Sequence, residues 1–84
     1  MDRILYEIGL TKVSKIASII KSKIKGKVRV HFDCEHDEMV IDITTRELGT
    51  YRLRQGGSFY MTSDDIASKA CGVYRKAVLE KFFE

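Results

Sequence analysis

At Gly26 the apolar residues change period, and that change constrains the fold more than any motif in the chain. Before it, Val13, Ile16, Ala17, Ile20 and Ile24 recur at intervals of three and four. That spacing predicts a helix from Thr11 to Lys25 with one apolar face. After it, Val28, Val30, Phe32 and Cys34 alternate with Lys27, Arg29, His31, Asp33 and Glu35, the pattern of a half-buried strand. Alternation returns at 39–45, with Met39, Ile41 and Ile43 inward, and at 50–54, with Tyr51 and Leu53 inward.

A second change of period follows Thr62-Ser63-Asp64-Asp65, which resembles a capping box with two acids at the positive end of a helix. From there Ile66, Ala67, Ala70, Val73, Tyr74, Ala77, Val78 and Phe82 line one side of a final helix. Near the start, Ile4, Leu5 and Ile8 form a stripe out of phase with the one that follows. Gly9 before Thr11 suits a helix stop and a new start, so a break or kink is expected there. Gln55-Gly56-Gly57-Ser58 reads as a loop, and Phe59-Tyr60-Met61 as an extension of the last strand.

The fold class is therefore α+β, in the order α-β-β-β-α: a three-stranded antiparallel meander with both helices packed on one face. Eighty-four residues, 44% hydrophobic and without proline, fit a single compact domain over 1–84. Turn chemistry suggests the registers. A two-residue turn at His36-Asp37 pairs Cys34 with Met39, Phe32 with Ile41 and Val30 with Ile43. A three-residue turn at Glu47-Leu48-Gly49, with Gly49 left-handed, pairs Ile43 with Leu53 and Thr45 with Tyr51. Both registers keep one face apolar. They also place Asp42 on the outward face between His31 and Arg54, with Arg29, Thr44 and Arg52 in the next row and Lys27, Arg46 and Thr50 beyond.

Charge is segregated. The net charge of +3 divides into +6 over residues 1–31, −5 over 32–47 and +2 over 48–84. No apolar run reaches the roughly 18 residues of a membrane span, and the N-terminus lacks the pattern of a signal peptide. Two cysteines do not make a disulfide framework, so a reducing cytoplasm is the expected location, that of the host cell if the chain is phage-encoded.

The stretch Val28–Asp42 holds two histidines, one cysteine and five acids, and it invites a metal reading in which His31, Cys34, His36 and Cys71 are the ligands. Alternation sends His31 and Cys34 to opposite faces, and no C-x-x-C or H-x-x-x-H spacing exists. Cys34 points at the core, where a thiol is inert. A small metal-dependent nuclease built on Asp42 lacks the lysine that should follow its acids. Gln55-Gly56-Gly57-Ser58 lacks the lysine of a phosphate loop. The expectation is a protein without catalytic residues, metal or cofactor.

Two surfaces stay open for recognition. One is the acidic hairpin of Asp33, Glu35, Asp37 and Glu38. The other is a basic surface of Lys12, Lys15, Lys23, Lys27, Arg29, His31, Arg52 and Arg54, on which Asp42 would orient Arg54 and His31 toward phosphate or acidic side chains. With Lys21 and Lys25 the first helix offers a lysine run suited to a nucleic-acid backbone. The outward sheet face has no aromatic on which an RNA base would stack.

The order helix, three strands, helix resembles double-stranded RNA-binding domains, in topology over most of the chain. That family grips phosphates with lysines where this chain has Asp64 and Asp65. The resemblance therefore implies the fold and speaks against the activity. In size, topology and charge segregation the chain also resembles small proteins of phages and mobile elements, anti-CRISPR inhibitors among them. That second resemblance implies a non-enzymatic binding protein that acts on a protein or nucleoprotein partner, with the acidic hairpin meeting the partner's basic cleft. The alternative expectation is a DNA- or RNA-binding domain using the basic helix and the sheet face.

Overall fold

The computed structural model describes residues 3–57 and 60–83, with side chains from Leu10 onward. It contains α1 (Arg3–Lys23), β1 (Lys27–Asp33), β2 (Glu38–Thr45), β3 (Gly49–Gly56) and α2 (Ser63–Phe82), and the strands form one antiparallel sheet in the order β1-β2-β3. The α+β meander read from the sequence is the observed fold. Ile16, Ile20 and Ile24 of the first helical segment, with Ile66, Ala67, Ala70, Cys71 and Tyr74 of α2, enclose Val28, Met39, Ile41 and Ile43. Both helices thus cover the same face of the sheet.

The expected break at Gly9 does not occur, and α1 runs through it for 21 residues. A mid-helix glycine costs only about 1 kcal/mol relative to alanine. The side chains of Ile4, Leu5 and Ile8 lie outside the described residues, as do Ser58 and Phe59. Tyr60 and Met61 do not extend β3, which instead takes in Gln55 and Gly56. Thr62 caps α2 as its sequence suggests, its hydroxyl accepting from the Asp65 amide at 3.1 Å. Along α2 the apolar stripe is only partly used: Val73 and Phe82 are exposed, at 46% and 69%.

Both hairpin registers differ from the expected ones by two residues. Phe32 faces Met39, Val30 faces Ile41, Val28 faces Ile43 and Arg29 faces Asp42. On the other side Ile43 faces Tyr51, Ile41 faces Leu53, Asp42 faces Arg52 and Val40 faces Arg54. A shift of two preserves every side chain's face and changes every row of neighbours. The cause lies in the loops. Asp33 ends β1 because its Oδ1 accepts from the amides of Glu35 and His36, at 3.2 and 3.4 Å. That Asx-type turn opens a loop over Cys34–Asp37, in which only Asp37 takes a positive φ, 47°. A two-residue turn at His36-Asp37 would need positive φ at both residues (type I′) or at His36 (type II′), and His36 has none. Cys34 consequently sits in the loop, half-buried, rather than pointing from a strand into the core. At the other hairpin Gly49 is left-handed as expected, φ 65°, but it is the first residue of β3 and pairs with Thr45.

Candidate recognition surface

Among the described residues no helix covers the outward face of the sheet. The observed register places Lys27, Thr44 and Thr50 in one row, Arg29, Asp42 and Arg52 in the next, and His31, Val40 and Arg54 in the third. Asp33 and Glu38 close the sheet beside the loop. Asp42 therefore does not lie between His31 and Arg54, and Arg46 leaves the face for the β2–β3 loop.

Asp42 and Arg52 form a fork-to-fork pair, with Nε donating to Oδ1 at 2.7 Å and Nη2 to Oδ2 at 3.0 Å. The Arg52 hydrogen bond holds the Asp42 carboxyl below the usual carboxylate range, and the charges of Arg52, His31 and Arg29 add to the effect. Asp42 in turn raises Arg52, chiefly by the same hydrogen bond. This geometry fixes the guanidinium plane. On either side, Lys27, Arg29 and His31 are exposed, and none has an ion-pair partner within 4 Å among the described residues. Thr44 and Thr50 hydrogen-bond through their hydroxyls at 3.0 Å. Val40, at the centre of the face, is fully buried and lies outside the main core cluster. The long side chains of its neighbours His31 and Arg54 flank it across the strands.

Two of the four acids of the hairpin, Asp33 and Glu38, are engaged within the protein. Arg54 reaches Asp33 and Glu38, each at 3.6 Å, and His36 Nδ1 lies 2.9 Å from the second Asp33 oxygen. The His36 hydrogen bond holds Asp33 below the usual carboxylate range. Asp33 raises His36 above 6.5 by the same bond, helped by the charges of Asp33, Glu35 and Glu38. Glu35 is exposed.

The basic surface read from the sequence is not one surface. Lys12 and Lys15 lie on α1, which packs against the opposite face of the sheet. Lys12 donates to the Met61 carbonyl at 2.7 Å, and Lys15 stands 3.9 Å from Asp64. Lys23 sits at the far end of α1. Only Lys27, Arg29, His31, Arg52 and Arg54 share the outward face.

The four residues considered for metal are likewise separated. Cys71 is in the core, His31 on the outward face, and Cys34 and His36 in the loop. The group that does converge is Asp33, His36 and Glu38, with ligand atoms within 4.8 Å of one another. The Arg54 guanidinium already supplies the cation there. Spacing alone would not reveal this trio; the signal was Asp33 as a turn-closing acceptor, which brings His36 back over β1.

These observations define a small α+β protein with one bare, basic sheet face. No protein-family model, no curated protein and no solved structure matches the chain. No helix among the described residues is long and apolar enough to cross a membrane.

Proposed function

We propose that this chain is a non-enzymatic binding protein whose recognition surface is the bare face of the sheet, and whose partner presents anionic groups to it. The observation that carries the reading is the row Arg29–Asp42–Arg52, in which the carboxylate pre-orients the Arg52 guanidinium while Arg29, across from it, makes no ion pair within 4 Å among the described residues. Pre-orientation lowers the entropy lost when a planar cation meets a carboxylate or phosphate. The acidic hairpin is the weaker candidate, because Arg54 and His36 already engage two of its four acids. Asp64 and Asp65 at the start of α2 disfavour the double-stranded RNA mode. A protein or nucleoprotein partner fits best, and an inhibitor borne by a phage or mobile element, of the anti-CRISPR kind, is one role such a surface suits. A cytoplasmic setting agrees with two free cysteines.

The test is capture of a partner from host extract, followed by affinity measurements with that partner purified. Lys27→Ser/Arg29→Ser/Arg52→Ser should weaken binding about tenfold or more, whereas Glu35→Ser/Asp37→Ser should leave it within about twofold. The reverse order would assign recognition to the hairpin.

A further inference from the structure

The acidic loop lies at one end of the sheet, and at the opposite end α1, the β2–β3 loop and the last turns of α2 surround a cleft of about 330 Å³. Ile24, Tyr74, Val78 and Phe82 supply its apolar lining, and Lys23, Lys25 and Arg75 its cationic rim, against the single acid Glu47. We infer that this cleft binds a short acidic peptide segment through one aliphatic or aromatic anchor residue. The inference goes beyond the sheet-face reading and concerns a separate surface.

Four features support it. Lys23, Lys25 and Arg75 have no ion-pair partner within 4 Å among the described residues, so their charge is available to a ligand. The two hydroxyls in the lining satisfy each other, since Tyr74 Oη and Thr45 Oγ1 are hydrogen-bonded. An apolar side chain can therefore enter without stranding a buried polar group. The wall formed by the β2–β3 loop is pre-built: the Leu48 amide donates to Thr45 Oγ1 at 3.4 Å, and Lys81 Nζ donates to the Glu47 carbonyl. Finally, Phe82 in the lining is 69% exposed, a large apolar side chain left at the surface of the kind found at interaction sites.

The volume suits a peptide anchor, at the lower end of the roughly 300–1,000 Å³ of ligand pockets. Ile24 and Val78 give a floor from which a phosphate backbone gains nothing, so the charge complement is carboxylate on a peptide rather than nucleic acid. The carbonyl end of α1 adds some negative charge at the mouth, which Lys23 and Lys25 offset.

The experiment uses the full chain and a fluorescein-labelled pool of octapeptides. Each peptide carries four Asp or Glu and one Phe, Leu or Ile, with Ser elsewhere. Binding is read by polarisation and mapped by amide chemical shifts. The pool should bind with a footprint on residues 23–25, 45–47 and 74–82. Replacing the anchor by Ser should weaken binding, and Lys23→Glu/Arg75→Glu should weaken it about tenfold with an unchanged circular dichroism spectrum. No binding up to millimolar peptide would overturn the inference. So would a footprint confined to the outward sheet residues 27–31, 40–42 and 52–54, equal or tighter capture of a single-stranded 12-mer DNA in the cleft, or burial of Phe82 in a concentration-dependent dimer seen by sedimentation. Because the footprint is distinct, failure here is read separately from failure of the sheet-face reading.

Discussion

Arg52 holds Asp42 across the outward face of the sheet through two parallel hydrogen bonds, 2.7 and 3.0 Å long. The pair makes β2 and β3 electrostatically complementary at one row, and it gives the bare face a cation of fixed direction. Its linkage to pH follows from the depressed Asp42 pKa. A carboxyl that is more acidic folded than unfolded stabilises the fold above the ordinary aspartate value of about 3.9, and that contribution is lost as pH falls through the folded value. Asp42→Asn should therefore lower the unfolding free energy read from urea denaturation at pH 7, by no more than about 1 kcal/mol because the Arg52 side of the pair is exposed. The difference from the parent should shrink as pH falls through the folded value, whereas a difference undiminished across the acid range would show that packing rather than charge is responsible.

His36 offers the opposite sign. Its pKa is raised by Asp33, so its contribution is complete below the unfolded value of 6.5 and disappears as pH rises through the folded value. An NMR titration should give a His36 midpoint above 6.5, and Asp33→Asn should bring it down while keeping the acceptor that closes the turn. A midpoint unmoved by Asp33→Asn would remove the pairing from the account.

Val40 and Ile41 test the two faces of the central strand, since both are fully buried. Ile41→Ala removes a core residue and should cost about 2–5 kcal/mol in denaturant unfolding. Val40→Ala should cost roughly 1.5–3 kcal/mol, as expected for a fully buried valine, although among the described residues no helix covers its face. A loss well under 1 kcal/mol would mean that the side chains flanking Val40 shield it little in solution.

Gly26 sits where α1 turns into β1. A Cβ there would run into the Thr44 carbonyl oxygen, with Thr45 Cγ2 beside it at 2.9 Å. Backbone on one side leaves little room to give, so Gly26→Ala should destabilise by more than about 1 kcal/mol, read from the thermal unfolding curve. Equal stability would show that the α1–β1 junction relaxes.

The change of period at Gly26 and the cap at Thr62 made the fold legible from sequence, because each is a local signal with a direct backbone cause. Face assignment was legible too, as parity depends only on the two-residue repeat of a strand. Row assignment was not. It depends on loop length, and the β1–β2 loop is set by Asp33 accepting two backbone amides, an interaction that no turn dipeptide announces. The two-residue slip was enough to exchange Asp42's neighbours from His31 and Arg54 to Arg29 and Arg52. It also hid the pairing of Arg54 with Asp33 and Glu38. Grouping Lys12 with Arg29 failed for a different reason: charge counts carry no information about which layer a residue occupies.

The most direct test of the central claim is the affinity of the captured, purified partner for three proteins at low and moderate salt. These are the parent, Lys27→Ser/Arg29→Ser/Arg52→Ser and Glu35→Ser/Asp37→Ser. The account predicts about tenfold or greater weakening and a shallower salt dependence for the sheet-face variant only. Retained affinity in that variant, with loss in the hairpin variant, would contradict it.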